Sequence, residues 1–170
     1  MPLNPNRKFE KPKSRKEAAL SCNILPEDST MEAECTTVLL DTRSTASFIH
    51  CDLVPRRHWR KIKKTPFATK GGTFEAKHMV SLEIMLPELS TLKSVQWTFY
   101  VDESDKPLHG VLLGSDFLRH FGINCHYSTQ TIVWGVSIVP MLSQKETEYL
   151  NITKHFVRDE YDDNPASKHV

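Results

Sequence analysis

The residues best placed to do chemistry lie where an apolar run stops at a single carboxylate. Thr36, Thr37, Val38, Leu39 and Leu40 lead to Asp41; Thr42, Arg43, Ser44, Thr45, Ala46 and Ser47 follow before Phe48 and Ile49 restore apolar character. The first part has strand composition, so Asp41 falls where a buried strand ends and the backbone turns. A carboxylate there either forms an Asx turn with its own backbone or is held at the floor of a cleft to handle a proton. Far downstream, Val111, Leu112 and Leu113 make a second short apolar run, closed by Gly114, Ser115, Asp116, Phe117 and Leu118. Gly114 permits close backbone approach. Ser115 or Asp116 suits the cap of a short helix that Gly122 would end.

Other chemistries find less support. Four cysteines (Cys22, Cys35, Cys51, Cys125) lie far apart with no CxxC pair, unlike a disulfide scaffold or a zinc motif. They read as reduced thiols of an intracellular chain. The close Cys/His pairs are His50 with Cys51 and Cys125 with His126. Neighbours in a strand point to opposite faces, so no metal centre is expected, and no cofactor. The nucleophile-elbow pattern G-x-S-x-G does not occur. No apolar run approaches membrane-spanning length, and the first residues are polar rather than leader-like.

Positioning these residues takes one domain. With 170 residues, 39% of them hydrophobic, and a formal charge of +1, the chain suits a single domain with tails and shows no global pull toward polyanions. Residues 1–16 carry Arg7, Lys8, Lys11, Lys13, Arg15 and Lys16 against Glu10, broken by Pro2, Pro5 and Pro12. That is the composition of a disordered basic tail. Strands are expected over residues 18–25 and 31–40. A short helical or irregular crossing follows over 51–62, bearing Arg56, Arg57, Arg60 and Lys61 around Trp59. Such a cluster is either a solvated face or a weak contact for nucleic-acid phosphates. Residues 65–77 read as a hairpin around Gly71 and Gly72, followed by strands over 80–86 and 95–101 and a last hairpin over 123–134. A helix over 141–149 and an acidic, disordered end with Asp159, Glu160, Asp162 and Asp163 complete the chain. The divisions are thus a basic tail (1–16), the folded domain (17–136), and a linker or disordered acidic tail (137–170).

The stretch from Leu39 to Ile49 resembles the active-site loop of the retropepsins, the aspartic proteases of retroviruses and LTR retrotransposons. That loop runs hydrophobic-hydrophobic-Asp-Thr-Gly and on to Ser-aliphatic. The segment from Val111 to Leu118 resembles the later Leu-Gly-x-Asp-hydrophobic-Leu motif of the same family. The likeness runs over about residues 18–136 and is nearest to polyprotein proteases of gypsy-type elements. It implies an all-β, closed fold, the acid-protease half-barrel, with one short C-terminal helix. It further implies an aspartic endopeptidase acting on a polypeptide, with Asp41 catalytic and the hairpin at Gly71 and Gly72 as a flap. Gly114 would let the second loop pass close to the first. The setting implied is cytoplasmic or within a retrotransposon particle, with no membrane partner.

Such an enzyme needs two carboxylates sharing one proton, because like charges a few ångströms apart resist joint ionisation. This chain offers one Asp-Thr loop, so the resemblance implies a homodimer with a second Asp41 across the two-fold axis. Thr42 would brace the opposite loop, and Ser44 could donate to Asp41. Arg43 departs from the pattern, since the family has Gly there. A long side chain can fill space that substrate needs, and two guanidinium groups in one cleft would favour a doubly ionised pair lacking the shared proton. An endopeptidase silenced by Arg43, serving as a dimerisation or binding module, is therefore the competing expectation.

Overall fold

The computed structural model describes residues 16–69, 72–105, 109–143 and 145–148. It is all-β, with one short α-helix whose bounds lie wholly among the described residues. In chain order the strands are β1 (Lys16–Glu17), β2 (Ala19–Ile24), β3 (Glu34–Leu40), β4 (Phe48–His50), β5 (Arg60–Thr69), β6 (Gly72–Met85), β7 (Ser94–Asp102) and β8 (Val111–Leu113). Helix α1 (Ser115–Phe121) follows, then β9 (Ile123–His126), β10 (Thr131–Trp134), β11 (Ser137–Pro140) and β12 (Leu142–Ser143).

The main sheet runs β2-β3-β8-β4-β7-β6-β5, and β2 also pairs with β6 through Asn23↔Met85 and Ile24↔Ile84. That pairing closes the sheet on itself and leaves β5 outside the ring as an edge. The two key stretches become neighbours, because β3 and β8 run parallel with Val38↔Val111 and Leu40↔Leu113 in register. Those four side chains lie on one face and are fully buried, as strand alternation requires. Ile49, Leu82, Ile84, Phe99, Phe117 and Ile132 complete the same core.

Several boundaries differ from the sequence reading for physical reasons. Residues 51–62 split into two 3-10 turns, Cys51–Leu53 and Arg56–His58, before β5 begins at Arg60, so Arg60 and Lys61 stand on a strand. β6 is one strand of 14 residues, because it serves first as a hairpin arm against β5, through one bulge, and then as the partner of β7. Strand structure also continues beyond residue 136. β11 pairs with β10, and β12 pairs with β1 through Lys16↔Ser143 and Glu17↔Leu142, while Met141 is buried. The helical pattern expected over 141–149 is confined to 145–148 among the described residues. The remainder of the basic tail and the acidic end lie outside the described residues. Among the described residues no helix is long and apolar enough to cross a membrane.

Candidate active site: the Asp41 loop

Asp41 is delivered by β3 and anchored at once to the neighbouring strand, its N–H donating to Leu113 O at 2.9 Å. The turn then folds back on the carboxylate. Arg43 N–H donates to Asp41 Oδ1 at 3.0 Å, and Ser44 N–H donates to Asp41 O at 3.2 Å. This is Asx-turn geometry, so the plain reading of the carboxylate as a turn former is physically realised. It occupies only one carboxylate oxygen: Oδ2 has no hydrogen-bond partner among the described residues, and Asp41 stays half-buried.

The loop is held from behind by the second stretch. Ser115 N–H donates to Ser44 O at 2.7 Å. The buried Ser47 hydroxyl accepts from Gly114 N–H at 3.0 Å and donates to Asp116 Oδ1 at 2.8 Å. A Cβ at Gly114 would lie 2.7 Å from Ser44 O and closer still to Ala46 O. The loops cross so tightly that only glycine fits. Gly114, not Ser115 or Asp116, is the N-cap of α1, and no side chain caps it. Asp116 is turned instead to the Ser47 hydroxyl, and Gly122 ends the helix in the left-handed conformation (φ 69°).

The other expected site residues fall as follows. The Ser44 hydroxyl donates to Ala46 O at 2.7 Å, so it stitches the turn rather than reaching Asp41. The Thr42 hydroxyl is exposed and lies 3.4 Å from the Tyr127 hydroxyl, a contact within one chain. Arg43 is exposed, and among the described residues no carboxylate lies within 4.0 Å of its guanidinium. Gly72 opens β6 opposite Thr69, while Gly71 lies outside the described residues.

Sequence reasoning missed an aromatic cluster. Phe67 and Phe74 face each other near the end of the β5–β6 hairpin. They meet Phe48, which leaves the Asp41 loop, and Tyr100 on β7. Ring centroids are 4.9 Å apart for Phe48–Phe67 and for Phe67–Tyr100, both edge-on. All four are half-buried, which ties the hairpin to the strand directly after the loop. The signal was visible as a phenylalanine on either side of the Gly pair, Phe67 before it and Phe74 after it.

A metal reading gains geometry but loses donors. Ligand atoms of His50, Cys51 and Asp52 lie within 4.8 Å of one another, because residues 51–53 are a 3-10 turn rather than a strand. However, His50 Nδ1 accepts from Asp52 N–H at 3.3 Å and Nε2 bonds Ser104 O at 3.0 Å. Both ring nitrogens are thus engaged, one by the turn and one by the chain after β7. Burial pushes the Cys51 and Cys125 thiols upward in pKa, aided at Cys51 by Asp52, so neither is set up as a nucleophile.

No protein-family model and no curated protein sequence matches the chain. Among solved structures it is similar to the retroviral protease-like domain of Ddi1 from Leishmania major, with a TM-score of 0.56 and 14% identity. The match covers 78% of this chain and 98% of that domain. At that identity the likeness carries the fold alone, and the fold is retropepsin-like.

Proposed function

We propose that this chain is one half of an aspartic endopeptidase of retropepsin type, with two copies bringing their Asp41 carboxylates together. The observation that carries this reading is the state of Asp41. It sits at a strand end, is fixed through its backbone and one carboxylate oxygen, and has the other oxygen left over. In the dimer one carboxyl holds the shared proton and polarises the scissile carbonyl. Its partner takes a proton from water, which attacks, and no cofactor is required. The substrate is a polypeptide, and the sequence resemblance supports a retrotransposon polyprotein in the cytoplasm or a particle.

One observation favours a second reading, a dimerisation or binding module without catalysis. Arg43 adjoins the carboxylate in sequence, is exposed, and has no acid partner among the described residues. In a dimer two such cations would share the cleft. The test is peptide cleavage across pH by the natural chain, by Arg43→Gly, and by Arg43→Gly with Asp41→Asn, with ultracentrifugation of each. Expected is weak cleavage by the natural chain, stronger acidic cleavage by Arg43→Gly, and loss of it with Asp41→Asn. A folded, dimeric Arg43→Gly chain without cleavage leaves the binding-module reading, and a chain monomeric at high concentration removes catalysis by this route.

A further inference from the structure

We infer that the turn at Arg56–His58 and the first half of β5 form a binding surface for the phosphate backbone of nucleic acid, separate from the Asp41 loop. Arg56, Arg57, Arg60, Lys61, Lys63 and Lys64 are all exposed, and no acid interrupts them in sequence. The ion pairs formed among the described residues all involve histidine, and none uses these six. In a chain of formal charge +1, this is a strong local concentration of one sign.

The backbone gathers the cations rather than spacing them evenly. Pairing passes from Lys61↔His78 to Thr65↔Ala76 through a bulge, so residues 62–64 stand opposite Lys77 alone. Lys77 is exposed too and adds a cation from β6. At the other end, Arg56 lies over the Trp59 ring at 5.3 Å. Arg57 donates to Thr30 O at 2.9 Å and to Thr30 Oγ1 at 2.7 Å. Two of the guanidinium groups are thus held in place, which lowers the entropy lost on binding. Two carboxylates adjoin the cluster: Asp28 is engaged by the Thr30 N–H and hydroxyl and faces His58 at 3.6 Å, and Glu103 faces His78 at 3.7 Å.

A competing use of such lysines is to blunt an exposed sheet edge, and β5 is an edge strand. Edge protection accounts for Lys61, Lys63 and Lys64 but not for Arg56 and Arg57, which precede the strand. An anionic membrane is a poorer fit, because surface-bound segments add apolar side chains that enter the lipid. The exposed large apolar residues, Leu92, Tyr127, Val136 and Ile138, all lie outside the cluster. Trp59 is covered by Arg56 and by His78, whose ring centroid is 5.3 Å away. No base-stacking platform is offered here, so binding is to phosphates and independent of sequence.

The test is fluorescence anisotropy of the full chain with labelled single-stranded RNA, single-stranded DNA and duplex DNA at several salt concentrations. Each phosphate contact contributes about 0.7–0.9 to the log–log salt slope. Arg57→Ser/Arg60→Ser/Lys61→Ser should therefore lower that slope by about 2–3 and weaken low-salt binding about tenfold or more. Lys63→Ser/Lys64→Ser, which removes no side-chain hydrogen bond, should lower it by about 1–2. Lys93→Ser/Lys145→Ser removes the same charge elsewhere and should leave it unchanged. Melting curves confirm that each variant is folded. Equal loss in the Lys93/Lys145 control, or no loss in both cluster variants, overturns the inference. So does a preference for phosphatidylserine vesicles over nucleic acid. Aggregation of the cluster variants with unchanged binding returns the lysines to edge protection.

Discussion

Replacing Gly114 by alanine isolates the contact that holds the Asp41 loop. Gly114 has φ −86° and ψ −176°, extended backbone that any residue adopts, so the demand for glycine is one of space. The added methyl would meet Ser44 O at 2.7 Å and Ala46 O closer still. Both are backbone atoms that cannot swing aside. Overpacking of this kind costs about 1–3 kcal/mol. If the loops separate to relieve it, the Gly114 N–H to Ser47 Oγ bond of 3.0 Å is stretched at a buried site, for another 1–3 kcal/mol or so. The expected loss is about 2–6 kcal/mol, or roughly 8–24 °C in Tm at about 4 °C per kcal/mol for a domain of this size. Urea denaturation followed by tryptophan fluorescence gives the free energy, with Gly110→Ala as the internal comparison. There the new methyl meets the Leu53 side-chain tip at 2.6 Å and the Thr36 hydroxyl closer still, and side chains can yield. Gly114→Ala should therefore be the more damaging. A loss below about 1 kcal/mol, or one no larger than that of Gly110→Ala, refutes the tight crossing of the two loops.

Two further outcomes follow from groups outside the loop. His109 contacts Thr37 Oγ1 at 3.2 Å and Glu17 Oε2 at 3.4 Å, and burial holds its pKa below the ordinary 6.5 despite Glu17. Below about pH 6.5 the unfolded chain then takes up a proton that the folded chain resists, so stability falls with pH. His109→Gln should flatten that fall between pH 8 and 5 in denaturation curves, and a steeper fall in the variant would contradict it. Phe67→Ala should cost about 1–3 kcal/mol by opening the aromatic cluster, and should speed hydrogen exchange in residues 65–69 and 72–76 more than in β7. Uniform acceleration throughout the sheet would show that the cluster does not specifically pin the hairpin.

How much was legible in the sequence depended on how local the signal was. Val38, Leu40, Val111 and Leu113 announced two buried strands by composition, and Gly114 marked a close approach. That β3 and β8 lie side by side could not be read from spacing, since some 70 residues separate them and resemblance alone joined them. Asp116 was misassigned to capping because capping is the local use of an acid at a helix start. Its partner, Ser47, lies 69 positions away. The short helical or irregular crossing expected over 51–62 is realised at its start as the 3-10 turn Cys51–Leu53. Three residues carry no period, so His50 and Cys51 still read as strand neighbours facing apart. β11 and β12 escaped notice because their strands are short and their partners, β10 and β1, supply the pairing that their own composition does not advertise.

The same logic separates fold from activity at Arg43. Within one chain this position is used through its backbone: the Arg43 N–H donates to Asp41 Oδ1 while the side chain stands exposed. An arginine can fill it without disturbing β3, the turn, or the crossing at Gly114. The monomer therefore exerts no strong force against the substitution, and the family-like fold and the departure from the family motif coexist without strain. In the proposed dimer, the cost of Arg43 would fall on the assembled site, where a second loop and a substrate would compete for the same space and the same proton. A retained fold is thus weak support for retained catalysis. Melting temperature should scarcely distinguish Arg43→Gly from the natural chain, with glycine entropy costing at most about 1 kcal/mol, while cleavage should separate them clearly. A large stability difference would instead place the Arg43 side chain among the contacts that hold the monomer together.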